Sequence, residues 1–149
     1  LHAMGVALHE DHYTIVAEIV EVSVSSQGEP RLHNVWVTAD CGIVVNANIA
    51  RAQVESAVIF GLSAALMEKV QIRNGQPLNH NFDDYPVLFG NKMPHIQVQF
   101  VESDMPPTGL GEPATPPAAA ALCNALFNLT GQRIRSLPVG TLKPPLRSV

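Results

Sequence analysis

YTIVAEIVEVSV, residues 13–24, is rich in β-branched side chains and largely alternates apolar with polar residues, which predicts a β-strand. Val20, Val22 and Val24 share one face, whereas Ile15, Ala17 and Ile19 lie on the opposite parity. The buried face is therefore expected to switch near residues 19–20, through a bulge or because both faces are covered. Turn residues SSQGEP at 25–30 precede a second strand at 32–38, so the two strands are predicted to form a hairpin.

Two helices are predicted from capping signals and apolar content. The oxygens of Asn46 and Asn48 can cap a helix from Ile49 to Val70, whose apolar residues cover most of its circumference, so deep enclosure is expected. A second helix, residues 118–129, follows Thr115 as N-cap and Pro116 at the first turn, and Gly131 is placed to end it.

The rest of the chain supplies shorter elements. Asn74-Gly75 is a strong turn signal, and His95 to Val101 alternates like a half-buried strand. Residues 134–139 are expected to form a last short strand, and the tail 140–149 to wrap another surface or be loose. The predicted class is α+β, with mixed or antiparallel strands and two main helices, in a single domain over residues 1–149.

Composition excludes several classes of protein. The chain has 149 residues, of which 46% are hydrophobic and 15% charged, with a net charge of −4, so it can form a core and disorder is excluded. Its few cations are scattered, which argues against nucleic acid as a partner. The uncharged run Ala52–Met67 is short and interrupted by Glu55, so no membrane span is expected. No secretory signal is visible. We expect a soluble protein, and the compartment, cytoplasmic or periplasmic, stays open.

Three short patterns bear on metal or nucleotide binding. The two histidines of His9-Glu10-Asp11-His12 lack the spacing of a zinc-binding helix, so a polar turn leading into a strand is favoured. Cys41 and Cys123 are too few for a disulfide framework or a zinc site, and no metal ligands are predicted. Residues 109–114, GLGEPA, fit a relaxed dinucleotide fingerprint, but no strand precedes them, and a carboxylate and a proline stand where amides should face phosphate.

The same loop carries a candidate general base. Gly109 and Gly111 allow a ligand to approach the main chain closely, and Glu112 between them and Pro113 is expected to be partly desolvated, as suits a base. Alternatively, Glu112 only favours the start of the following helix through the helix dipole. Gln53 and Glu55 likewise either mark an exposed helix start or face a ligand.

Several segments together resemble the C-terminal part of molybdenum hydroxylase large subunits. This is the xanthine oxidase and aldehyde oxidoreductase family, and the resemblance is strongest to the isoquinoline 1-oxidoreductase β-subunit type. The segments that carry it are GLGEPATPP at 109–117, TGQRIRSLP at 130–138, VAEIVEVSV at 16–24, DCGIVVN at 40–46, and QVE at 53–55 with FGL at 60–62.

The resemblance implies a role for each matching residue. Glu112 matches the family's active-site base beside molybdenum, Gln53 matches a glutamine that contacts the pyranopterin, and Gly109 and Gly111 belong to the same cofactor-binding loop. If so, the loop that carries Glu112 and the start of the helix that carries Gln53 must converge on one face of the chain. The apolar residues that flank this face are then expected to be exposed. Ser56 departs from the family, which usually has glycine there, and puts local packing in doubt.

The implied protein is a molybdopterin-dependent oxidoreductase that hydroxylates an N-heterocycle or an aldehyde, with water as the oxygen source. Its cofactor is a molybdenum-pyranopterin, expected in a dinucleotide form, and its electrons leave through iron–sulfur clusters on a partner subunit, because this chain has too few cysteines for them. The chain is expected to be a C-terminal fragment of a molybdopterin-binding subunit, to form part of its molybdopterin-binding domain, and to need the remainder of that subunit. The alternative is a non-catalytic binding or assembly module that kept the fold.

Overall fold

The computed structural model describes residues 1–143, which form a four-stranded sheet, a small two-stranded hairpin and two long helices. In chain order the elements are β1 (Ala3–Asp11), β2 (Thr14–Val24), β3 (Pro30–Asp40), α1 (Ala47–Leu66), β4 (Ile72–Arg73), β5 (Gln76–Pro77), β6 (His95–Phe100) and α2 (Thr115–Thr130). The main sheet has the order β1-β2-β3-β6, and β4 and β5 form a separate small hairpin. The mixed sheet and two helices confirm the α+β class.

The core lies between one face of the sheet and the helices. β1, β2 and β3 are antiparallel neighbours, whereas β6 returns parallel to β3 after the crossover that contains α1. α2 packs on β1 and β2, and α1 packs on α2. The two long helices and the inner faces of β2 and β3 contribute most of the fully buried apolar side chains.

The predicted switch of the buried face in β2 is wrong. Even-numbered residues point inward throughout Thr14–Val22, including Glu18, while Ile15 and Ile19 point outward and remain exposed. The register irregularity opposite Val20 and Val22 falls where β3 has one extra residue, so the bulge does not reverse the facing of β2. The alternation of apolar residues gave the wrong prediction because Glu18, which carries a carboxyl group, occupies a position that faces the core.

β1 was not predicted as a strand. It contains residues 9–11 of the His9–His12 pattern, and a two-residue turn, His12-Tyr13, connects it to β2. Both turn residues have positive φ, of 51° and 62°, as a type I′ hairpin turn requires. The hairpin escaped detection because this turn contains neither glycine nor asparagine, unlike Asn74-Gly75, which forms the predicted turn between β4 and β5.

α1 is capped as predicted by Asn46, whose side chain accepts hydrogen bonds from the amides of Asn48 and Ile49. It ends at Leu66 rather than Val70, because the carbonyl of Ala65 accepts a hydrogen bond from the amide of Val139 instead of continuing the helix. Deep enclosure is wrong for this chain, since α1 buries only one face and Phe60 is 67% exposed.

α1 is long and apolar enough to cross a membrane on length and composition alone. The expectation that no such helix is available was wrong because α1 begins five residues before the run that suggested it. Here Val54, Val58 and Leu62 of α1 are fully buried in the core, and a core helix passes the same test of length and composition.

The C-terminal elements differ in detail from the sequence prediction. The N-cap of α2 is Ala114 rather than Thr115, whose hydroxyl instead donates to the carbonyl of Ala57 in α1. Gly131 ends α2 in the left-handed conformation, as predicted. Residues 134–139 form no strand, and the amide of Val139 instead donates a hydrogen bond to the carbonyl of Ala65 in α1. Leu142 is buried and donates to the carbonyl of Gly28, and the rest of the predicted tail, 144–149, lies outside the described residues.

Candidate active-site loop

The loop that carries Glu112 is held by the β1–β2 hairpin. The amide of Gly109 donates to the carbonyl of His12 at 3.3 Å, and the hydroxyl of Thr14 donates to the carbonyl of Gly109. The oxygens of the Thr14 and Thr108 hydroxyls lie 2.6 Å apart, and Thr14 is fully buried. The hairpin turn and the loop therefore form one hydrogen-bonded unit.

Gly109 is needed for this close approach. A Cβ at position 109 would lie 2.8 Å from the Cβ of His12, too close for any larger residue without a shift of the turn. The glycine in the first position of the Gly-x-Gly-Glu sequence thus has a packing role against the hairpin, whatever it also does for a ligand.

Thr14→Val is expected to weaken this unit. Valine keeps the size and the β-branch of threonine but removes the hydroxyl that serves Gly109, so the carbonyl loses its partner. We expect the free energy of unfolding to fall by about 1 kcal/mol, measured by urea denaturation of the chain. Thr38→Val, an exposed threonine on β3, is the matched control, and an equal loss in both variants would contradict the assignment.

The structure brings the start of α1 to the same loop, far apart though they are in sequence. A Cβ at Gly111 would lie 3.6 Å from Oε1 of Gln53, and among residues 1–143 no other atom outside the residues adjacent to Gly111 would be within 4 Å of it. Gln53 lies in the second turn of α1 and is exposed. The predicted convergence of Gln53 with the Gly109–Glu112 loop is therefore present, and the space beside Gly111 is open on its other sides.

Glu112 itself is not desolvated in this chain. Its side chain is 79% exposed, because it extends from the loop away from the core, so the expected partial burial is wrong here. Among residues 1–143, the imidazole of His12 lies at ion-pair distance, with Nε2 4.0 Å from Oε2 of Glu112. The other ring nitrogen, Nδ1, lies 3.0 Å from Oδ2 of Asp11.

Glu55 and Ser56 do not join this loop. They line an open groove between α1 and the start of β6, together with Ile59, Phe60 and His95. Ser56 is exposed, so its hydroxymethyl group meets no tight packing in this chain.

Asp11 and His12 are the residues near Glu112 that sequence reasoning missed. The sequence interpretation of these residues rests on the spacing within residues 9–12, whereas their partner, Glu112, lies about a hundred residues later. Only recognition of a hairpin turn at His12-Tyr13 could have placed them at the end of a sheet.

Comparison with solved structures identifies the fold. Quinoline 2-oxidoreductase from Pseudomonas putida 86 superimposes with a TM-score of 0.74 at 24% identity, over 84% of this chain and 17% of that chain. The chain therefore has the fold of a segment of that enzyme.

The chain belongs to the molybdopterin cofactor-binding domain family, whose sequence profile matches residues 3–94. It is 38% identical over 138 residues to isoquinoline 1-oxidoreductase subunit beta of Brevundimonas diminuta, covering 92% of this chain and 18% of that protein. It is also 38% identical over 114 residues to a protein of Gluconacetobacter polyoxogenes named membrane-bound aldehyde dehydrogenase [pyrroloquinoline-quinone], covering 76% of this chain and 15% of that protein. The chain thus spans less than a fifth of these relatives.

Proposed function

We propose that this chain forms the part of a molybdenum hydroxylase large subunit that supplies the catalytic base, Glu112. The substrate class is an aromatic N-heterocycle or an aldehyde, hydroxylated with oxygen from water. The observation that carries the proposal is the juxtaposition of the Gly109–Glu112 loop with Gln53, because one ligand held by both would need these two distant segments at the same place.

The residues at this place fit a pyranopterin cofactor. Gln53 has an exposed amide that can both donate and accept hydrogen bonds, and beside it the missing side chain of Gly111 leaves room for a ligand against the main chain. Gly109 and Gly111 would shape the cofactor-binding loop, and Gln53 would hold the pterin.

When bound, the molybdenum cofactor supplies the two-electron oxidation of the substrate carbon. Glu112 takes a proton from the water-derived oxygen nucleophile at a carboxylate oxygen, and it must release that proton before the next turnover. Exposure of Glu112 in this chain leaves it free to face a substrate pocket that the remainder of the subunit would complete.

A larger assembly is part of the proposal. Apolar side chains are exposed at the start of α1, where Val45 and Ile49 flank the approach to Gln53, and on the outer face of the β1–β2 hairpin, where Val6 and Leu8 lie. The remainder of the molybdopterin-binding subunit would cover such surfaces. Iron–sulfur clusters on a partner subunit would carry the electrons away, and the cofactor would be in a dinucleotide form.

Molybdenum content tests the proposal. In the assembled protein that contains this chain, Gln53→Leu is expected to lower molybdenum and pterin content roughly tenfold, because a leucine cannot hydrogen-bond the cofactor. Gln97→Leu, on an exposed position of β6, is the matched control and should leave both unchanged.

Metal and pterin are measured by elemental analysis and by fluorescence of the released pterin. A parent protein that contains neither would favour the non-catalytic module, and release of a quinone cofactor instead would assign a different chemistry. Equal cofactor content in Gln53→Leu and the control would remove Gln53 from the site.

A further inference from the structure

Asp11, His12 and Glu112 form a row of three titratable side chains at the tip of the β1–β2 hairpin. Oδ2 of Asp11 lies 3.0 Å from Nδ1 of His12, and Nε2 of His12 lies 4.0 Å from Oε2 of Glu112. Among residues 1–143, these two carboxylates are the ones that approach the His12 ring nitrogens within ion-pair distance. All three side chains are accessible in this chain, with Glu112 79%, His12 57% and Asp11 38% exposed.

The backbone fixes where the imidazole can lie. His12 has a φ of 51°, a left-handed conformation that glycine or asparagine adopts more easily, so its side chain is not explained by turn propensity. The carbonyl of His12 accepts a hydrogen bond from the amide of Gly109, and the Cβ of His12 packs against that glycine. The same contacts that position the Glu112 loop therefore hold His12 beside it.

Asp11 lies beside the other ring nitrogen of His12, at ion-pair distance from Nδ1. A carboxylate at this place favours the neutral tautomer that carries its proton on Nδ1, so that Nε2, the nitrogen nearer Glu112, is the one that can accept a proton. A separation of 4.0 Å exceeds a hydrogen bond, but rotation about the side-chain torsions of the exposed Glu112 can close it.

We propose that His12, oriented by Asp11, positions the carboxylate of Glu112 and receives its proton between turnovers. The step rests on the proposed function of Glu112. The O–H bond of protonated Glu112 breaks and an N–H bond forms at Nε2 of His12, which gives a carboxylate and an imidazolium. Asp11 stabilises the imidazolium, which then returns the proton to water, so the step involves no oxidant or reductant.

The first test is the turnover of the assembled, cofactor-loaded enzyme. His12→Phe keeps a ring against Gly109 but has no nitrogen, and His12→Ala opens space at the same position. Both are expected to lower turnover about tenfold, whereas His80→Ala, in an exposed loop, is the matched control and should not. Added imidazole is expected to restore most of the activity of His12→Ala, which a purely structural loss would not allow.

The second test needs no cofactor. In the chain labelled with ¹⁵N-histidine, the ring nitrogens of His12 are expected to show the Nδ1–H tautomer in NMR spectra. Asp11→Asn should redistribute the tautomers, and Glu112→Gln should shift the Nε2 resonance, whereas Glu102→Gln should leave it in place. An Nε2 resonance that does not respond to Glu112→Gln would overturn the pairing.

The outcomes separate the two proposals. Loss of turnover in Glu112→Gln together with unchanged turnover in His12→Phe would overturn the role of His12 and leave the base assignment intact. Unchanged turnover in Glu112→Gln would overturn the base assignment and, with it, the role of His12. A loss in His12→Ala that imidazole does not restore would also contradict proton transfer.

Discussion

Glu112→Gln is expected to lower the turnover of the assembled enzyme about 10²-fold or more, the scale of a lost general base. Glutamine has nearly the size and polarity of glutamate but accepts no proton in the relevant range. Since the Glu112 side chain is exposed and is not packed in the core, the loop and the fold should be unaffected. The rate per molybdenum is measured, so that any change in cofactor loading is divided out.

Two measurements make this result decisive. Glu102→Gln, an exposed carboxylate on the loop after β6, should keep normal turnover and serves as the control for the loss of one negative charge. The molybdenum content of Glu112→Gln should equal that of the unmodified enzyme. A variant that is fully loaded and turns over normally would show that Glu112 is not the base.

The sequence predicted elements whose signals are local. Asn74-Gly75, the Asn46 cap and Gly131 at the end of α2 each act within a few residues, and each was confirmed. β1 and its turn were missed because His12 and Tyr13 adopt positive φ without the usual residues, and the surrounding sheet supports that conformation. The end of α1 was misplaced because the carbonyl of Ala65 accepts a hydrogen bond from Val139, far along the chain.

The candidate site was predictable only where a motif carries it. Glu112 and Gln53 stand in segments that resemble a known family, and the convergence of the Glu112 loop with Gln53 was expected from the hypothesis that both serve one ligand. The exposure of Glu112 and its proximity to His12 depend on how the tip of the β1–β2 hairpin contacts the loop. The spacing of nearby residues in the sequence does not reveal this contact. The same limit applies to β2, where a count of apolar residues could not show that a glutamate faces the core.

That buried residue, Glu18, gives the second large expected effect. It is fully buried, and neither carboxylate oxygen has a hydrogen-bond partner among the described residues. Burial raises the pKa of Glu18 to about 8. The folded chain therefore holds this proton at neutral pH, whereas the unfolded chain releases it from about pH 4.5 upward.

The sign of the effect follows from this difference. Below the pKa of Glu18 in the unfolded chain, the carboxyl group is protonated in both the folded and the unfolded state. Its ionisation therefore does not change the free energy of unfolding in that range. As pH rises toward 8, the unfolded state is increasingly favoured, by about 1.4 kcal/mol per pH unit. The contribution of Glu18 to stability is thus fully present in acid and lost as pH rises through the folded pKa.

Glu18→Gln should remove this dependence while it keeps the shape and the buried polar group. We expect the variant to be more stable than the unmodified chain by less than about 1 kcal/mol near pH 5 and by about 3 kcal/mol near pH 7. Urea denaturation at the two pH values measures the difference, and Glu102→Gln should show little change at either, as expected for a surface substitution. A gain that is equal at both pH values would mean that Glu18 has a partner in the folded chain and is already ionised there.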